Sequence, residues 1–219
     1  MTSPTQKLLA EGLGTAVLIV AVIGSGIMAQ TLTQDIALVL LANTIATGAT
    51  LLVLITIFEP LSGAHFNPAV TLVMVLRGHF GWQLALAYVG AQIIGGALGV
   101  LIAHGMFELP LLQFSTHIRT GSAQWFAESV ASFGLVLTIF GALHARQASV
   151  PLMVSAYIMA AYWFTASTSF ANPAVTIART LSDTFAGIRP SDAPGFILAQ
   201  FAGALLALAL SNYLFKAHD

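Results

Sequence analysis

The chain has 219 residues, of which 58% are hydrophobic and only 7% are charged. Soluble domains carry about 25% charged residues, so the seven basic and eight acidic side chains cannot cover a soluble surface of this size. A net charge of -1 argues against nucleic acid as a partner, and the absence of cysteine excludes disulfides and thiolate metal sites. The composition therefore predicts a multi-pass protein of the lipid bilayer.

Six long apolar segments follow one another along the chain. They are Leu8–Met28, Ile36–Phe58, Trp82–Ala103, Ala123–Leu143, Ser149–Phe164 and Ala193–Phe215. All but the fifth reach the length of about 20 residues that a transmembrane helix needs. The first is longer than a signal-peptide core and contains Glu11, so we interpret it as a span and not as a cleaved leader.

A five-residue motif, Asn-Pro-Ala-Val-Thr, occurs twice, starting at Asn67 and, 105 positions later, at Asn172. Asn is a favoured N-cap residue and Pro fits the first helical position, so each copy predicts a helix start. The apolar run after Asn67 has nine residues, Pro68–Leu76. Nine residues span about 14 Å, whereas the hydrocarbon core is about 30 Å thick. Each copy therefore predicts a re-entrant half-helix that reaches the middle of the membrane. The motif residues at the helix starts are Pro68, Ala69, Pro173 and Ala174.

Other residues repeat with the motif. Ala10-Glu11 opens the first span, and Ala127-Glu128 opens the fourth. A repeat with three spans per unit must be inverted, because an odd number of crossings reverses the second copy. We expect repeats over about 8–103 and 123–215 within a single domain, 1–219. Inverted repeats with broken helices at the midplane are typical of transport proteins.

Basic residues only weakly favour an orientation with both termini in the cytoplasm. That orientation would place four inside (Lys7, Arg77, Arg146 and Lys216) and three outside (Arg119, Arg179 and Arg189). The positive-inside rule therefore decides little.

Two half-helices of opposite direction bring their N-termini together at the midplane. Each end carries partial positive charge and unpaired N–H groups, so cations should be repelled there. Asn67 and Asn172 are expected to cap these ends and to direct their amide groups into a pore.

Two intramembrane carboxylates, Glu11 and Glu128, have two possible roles. They are functional candidates by default, but their repeated placement favours structural acceptors for the loops before the half-helices. His65, two residues before Asn67, is expected to form a fixed hydrogen bond, the alternative being a pH-sensitive pore residue. No metal-ligand spacing and no nucleophile–base pair appears, so we expect no metal, no cofactor and no enzymatic activity.

Paired Asn-Pro-Ala motifs in a six-span chain resemble the aquaporin and glycerol-facilitator family, over nearly the whole sequence. The resemblance implies an all-α membrane protein of six transmembrane helices plus two half-helices in an inverted repeat. It also implies a passive channel for small uncharged solutes such as water and glycerol, usually a homotetramer. Glu11 and Glu128 would support its scaffold. The implied location is a cell membrane, here a bacterial inner membrane, with both termini cytoplasmic.

Four positions form the selectivity filter in that family. Carried over by their distance from the two motifs, they fall on Thr47, Ala160, Ser169 and Val175. The family usually has arginine at the last of these and an aromatic residue among the others. A wide filter without arginine is similar to that of aquaporin-like channels from arsenic-resistance clusters, which implies passage of neutral or methylated arsenic species.

Two other functions stay open: a strict water channel and an ion-coupled secondary transporter. A transporter would need an ion site at the midplane, yet the acidic residue nearest upstream of Asn67 is Glu59, eight positions away. Arg179 lies four residues beyond Val175, where it would either supply the missing filter charge or pair with Asp183.

Overall fold

The structure, a computed structural model, describes residues 2–215, and over this range it contains helices and no strand. The α-helices are α1 (Pro4–Leu32), α2 (Ile36–Ser62), α3 (Pro68–Leu76), α4 (Trp82–Met106), α5 (Ser122–Ala145), α6 (Val150–Phe164), α7 (Pro173–Arg179) and α8 (Ala193–Leu214). A short 3₁₀ turn, Gln147–Ser149, precedes α6. Lys216, which entered the charge count, lies outside the described residues.

The predicted architecture of six spans and two half-helices is confirmed. Five helices in the described range, namely α1, α2, α4, α5 and α8, are long and apolar enough to cross a membrane. Helix α6 has only 15 residues and occupies the place of the fifth span. The half-helices α3 and α7 have nine and seven residues. Helix α1 is longer than its predicted span, because Ser3 and Gln6 form a capping box ahead of the apolar run.

The two halves pack in the same way. Helix α1 packs against α4 and α2, and its counterpart α5 packs against α8 and α6. Helices α2 and α6 join the halves. Each half-helix packs against the third spans of both halves, because α3 and α7 each contact α4 and α8. These shared contacts hold both half-helices at the centre of the molecule.

Glycines allow the closest helix contacts. A Cβ atom on Gly95 would lie 2.1 Å from the carbonyl oxygen of Gly12, and one on Gly99 would lie 2.4 Å from that of Ala16. In the second half, a Cβ on Gly203 would lie 2.1 Å from the carbonyl oxygen of Ser129. These small residues serve packing within the chain, at the α1–α4 and α5–α8 contacts.

Candidate functional site: a central pore

The two Asn-Pro-Ala motifs meet at the centre of the structure. The side-chain oxygen of Asn67 accepts a hydrogen bond from the Ala69 N–H at 2.9 Å, and that of Asn172 accepts from the Ala174 N–H at 3.0 Å. Each Asn is thus the N-cap of its half-helix, as expected.

The side-chain amides of the same two residues join the halves. Asn67 Nδ2 donates to the carbonyl oxygen of Ala171 at 2.7 Å, and Asn172 Nδ2 donates to that of Phe66 at 2.8 Å. Because each amide carries two N–H groups, one on each side chain remains after this reciprocal exchange. The cross-link between the halves was not part of the sequence-based prediction, since nothing in either motif specifies its partner carbonyl.

The loop before α3 is held by Glu11, which is fully buried. One carboxylate oxygen accepts from the His65 N–H at 2.9 Å, and the other accepts from the Phe66 N–H at 2.7 Å. The side chains of Ser62 and Gln92 donate to the same carboxylate at 2.7 and 2.8 Å. The loop turns through left-handed φ values of 49° at Ala64 and 50° at Phe66, which non-glycine residues adopt only when surrounding contacts hold them.

The second half repeats this arrangement around Glu128. Its carboxylate accepts from the N–H groups of Phe170 and Ala171 at 2.9 and 2.8 Å, and from Gln200 Nε2 at 2.6 Å. All the hydrogen-bond donors to Glu11 and Glu128 are loop backbone groups or neighbouring side chains. This geometry matches the structural reading of the two glutamates.

A cavity of about 530 Å³ runs past both motifs. Both Asn67 and Asn172 line it. Towards the end of α3 it reaches Lys7 and His79, and we call this end the first mouth. Towards the end of α7 it reaches Arg179, and we call this end the second mouth. Apolar side chains form most of its wall, with few polar groups along the path, as in selective binding sites.

The predicted filter positions are only partly brought together. Thr47, Ser169 and Val175 are buried and line the cavity. Ala160 is exposed on the outer side of α6 and does not line it, so the expectation for this residue is wrong.

The residues of α6 that line this part of the cavity are Ile158 and Tyr162. They are one helical turn apart and share a face, whereas Ala160 lies between them on the opposite face. The prediction of Ala160 used its distance in sequence from Asn172. A non-helical loop lies between the two residues, so this distance does not determine which face of α6 points to the cavity. Tyr162 is an aromatic residue whose hydroxyl lies 3.4 Å from Thr47 Oγ1, so this section of the pore does not lack an aromatic side chain.

Arg179 is the last residue of α7, lines the second mouth and is only 4% exposed. It does not pair with Asp183. The backbone N–H and hydroxyl of Thr116 donate to the Asp183 carboxylate at 2.8 and 3.0 Å, and the backbone bond first of all holds the pKa of Asp183 below its ordinary value.

His65 lines the cavity and also forms the fixed contact that was expected. Its Nδ1 lies 3.1 Å from Thr71 Oγ1, and its ring packs edge-on against Tyr88 at 5.5 Å between centroids. The described residues contain no group of three or more His, Asp or Glu side chains that could hold a metal ion.

Comparisons with known proteins agree with this geometry. A sequence profile of the major intrinsic protein family matches residues 1–168. Aquaglyceroporin AqpS of Rhizobium meliloti (strain 1021) is 57% identical over 97% of this chain and 91% of that protein. The probable aquaporin NIP4-2 of Arabidopsis thaliana is 34% identical over 63% of this chain and 48% of its own length.

The fold is also similar to that of a solved structure. The X-ray structure of the aquaglyceroporin from Plasmodium falciparum superposes with a TM-score of 0.73 over 98% of this chain and 97% of that one, at 20% identity. At this identity the superposition shows a shared fold and nothing more. The profile match and the relative from Rhizobium cover most of the sequence, and on these grounds the chain belongs to the major intrinsic protein family.

Proposed function

We propose that the chain is a passive membrane channel for small uncharged solutes, in which residues 1–219 act as one domain. The observation that carries the proposal is the meeting of Asn67 and Asn172 in the wall of one continuous cavity. A solute that follows the cavity must pass both side chains.

The two half-helices explain how such a channel selects against cations. Their N-termini point at the same place, and each carries roughly half a positive charge. The free N–H groups of Asn67 and Asn172 offer donors to an oxygen atom of the passing molecule. A water molecule oriented by donors on one side cannot relay protons through the site, which is a barrier of the kind found in aquaporin-type pores.

The solutes proposed are water, glycerol-like polyols and neutral or methylated arsenic species. Thr47, Ser169 and Val175 are short side chains at the second mouth, and Val175 stands where the family usually has arginine. The name of the Rhizobium relative, aquaglyceroporin, supports a solute range broader than water.

A strict water channel is the second candidate, because Tyr162 and Thr47 approach each other at the second mouth. An ion-coupled transporter is less well supported. Glu11 and Glu128 both accept two backbone N–H groups and at least one side-chain donor each, which leaves them poorly placed to bind a coupling ion.

We further propose a homotetramer in a bacterial inner membrane, with both termini in the cytoplasm. Large apolar side chains remain exposed on the outer faces of the spans, for example Leu86 at 71% and Leu206 at 63%. Lipid or neighbouring subunits would cover such faces.

Light scattering on proteoliposomes tests the proposal. Water, glycerol and arsenous acid permeabilities are compared with those of protein-free vesicles of the same lipid. A channel of the proposed kind passes glycerol and arsenous acid without saturation and without an ion gradient. Water flux alone would support the strict water channel, and a saturable flux that requires an ion gradient would support the transporter.

A further inference from the structure

Arg179 occupies an unusual place for a cation in this chain. Its guanidinium carbon lies 3.3 Å from the centroid of the Phe170 ring, and its Nε donates to the carbonyl oxygen of Ala186. No residue between 180 and 215 lines the cavity, so Arg179 stands where the cavity ends at the second mouth.

A second guanidinium lies beside the first. The Arg119 guanidinium carbon is 5.3 Å from the same Phe170 ring centroid. Arg119 Nε donates to the carbonyl oxygen of Gly187 at 2.8 Å, and its Nη2 donates to that of Phe185 at 3.2 Å. Three successive carbonyl groups, at residues 185 to 187, therefore hold the two arginines.

The carbonyl segment can approach the arginines because residue 187 is glycine. A Cβ atom there would lie 2.2 Å from Ser115 Oγ and 2.4 Å from the carbonyl oxygen of Ser182. A larger residue would displace the segment. The position of the two guanidinium groups is thus built into the fold and does not depend on a flexible surface contact.

The positive charge of the pair is not matched by carboxylates in contact with it. Within residues 2–215 the single ion pair is Arg189–Asp192, so neither the Arg179 nor the Arg119 guanidinium has a carboxylate oxygen within 4.0 Å. Asp192 Oδ2 accepts from the backbone N–H of Arg119 at 2.9 Å, but the charge of this carboxylate is paired with that of Arg189. The second acidic group near the pair is Glu128, and its two oxygens accept hydrogen bonds from Phe170, Ala171 and Gln200. Because Asp192 is paired with Arg189, only Glu128 offsets the guanidinium groups of Arg119 and Arg179, which leaves an excess positive charge.

The terminal amino groups of Arg179 are available to a solute. In the described part of the chain they have no hydrogen-bond acceptor, yet they are not sealed off from the cavity that Arg179 lines. Such groups donate to oxygen acceptors in a fixed planar geometry.

We infer that Arg179, supported by Arg119 and Phe170, is the residue that excludes cations at the second mouth and offers donors to solutes that carry oxygen atoms. Arg179 lies one helical turn beyond Val175. The pore beside Val175 therefore stays wide, and a permeating solute still passes one fixed positive charge. This inference rests on the proposed channel function.

The experiment measures proton and K⁺ flux together with glycerol and water flux in proteoliposomes. Arg179→Met and Arg179→Gln remove the charge, and Arg179→Lys retains it. Arg146→Gln is the control, since Arg146 is exposed and does not line the cavity. We expect the neutral variants to raise proton and K⁺ flux at least about fivefold, because a unit charge acts strongly on an ion within a few ångströms. Arg179→Lys and Arg146→Gln should stay within about twofold of the parent.

Thermal unfolding in detergent identifies the variants that fold. A folded neutral variant with parental ion flux overturns the inference, and so does an Arg179→Lys variant that leaks as much as Arg179→Met. If neither neutral variant folds, Arg119→Gln takes their place, with an expected rise of at least about threefold. An ion flux in the range of the controls would then overturn the inference. Parent vesicles that pass neither water nor glycerol faster than protein-free vesicles would instead overturn the proposed function, and this inference with it.

Discussion

Replacing Glu128 tests whether the intramembrane glutamates are scaffold acceptors. The carboxylate is fully buried, and it accepts from the N–H groups of Phe170 and Ala171 and from the amide of Gln200. In Glu128→Ala both backbone groups lose their partner inside the protein. In Glu128→Gln one oxygen remains, but the new NH₂ group faces a donor.

The expected decrease in the free energy of unfolding follows from these contacts. A buried donor left without a partner costs about 1–3 kcal/mol, so two such groups in Glu128→Ala amount to about 2–6 kcal/mol. Glu128→Gln leaves one of them unmatched, which predicts a loss of about 1–3 kcal/mol. Both are large beside a typical total stability of about 5–15 kcal/mol.

The measurement is thermal unfolding of purified protein, followed by the glycerol-to-water permeability ratio of whatever folds. Glu108→Gln is the control, because Glu108 is exposed. Glu11→Gln should resemble Glu128→Gln, since Glu11 accepts equivalent bonds in the first half. The reasoning is refuted if Glu128→Gln unfolds at the same temperature as the Glu108→Gln control. A stable Glu128→Gln channel with an altered permeability ratio would contradict it as well.

Three further predictions concern the pore and its packing. Asn172→Asp should raise proton leak in proteoliposomes, because it places a negative charge where the half-helix N-termini meet, and a variant as proton-tight as the parent would contradict the midplane barrier. Val175→Arg should lower the glycerol-to-water permeability ratio several-fold, because a bulky cation would enter the section that valine leaves open; an unchanged ratio in folded protein would mean that Val175 does not limit passage. Gly95→Ala should reduce yield and thermal stability, since its Cβ would lie 2.1 Å from the Gly12 carbonyl oxygen, whereas Gly90→Ala, with no neighbour within 4 Å, should behave like the parent.

Local patterns in the sequence were sufficient to predict the architecture. Apolar length predicts spans because lipid cannot hydrogen-bond the backbone. The Asn-Pro pairs predict the starts of α3 and α7, because capping depends on neighbouring residues alone. The repeated Glu11 and Glu128 indicated support for the loops, and the structure shows their carboxylates bonded to loop N–H groups.

The pore lining depends on contacts that no local pattern contains. Whether Ala160 or Tyr162 faces the cavity is decided by the rotation of α6 against α2, and a rotation of half a turn reverses the result. Arg179 lines the second mouth because the carbonyl group of Ala186 and the Phe170 ring hold it there. The sequence alone thus determines the spans, the half-helices and their caps, since these follow from lipid solvation and neighbouring residues. Only the tertiary structure decides which side chains meet a passing solute, because that depends on how separate helices and loops pack around the cavity.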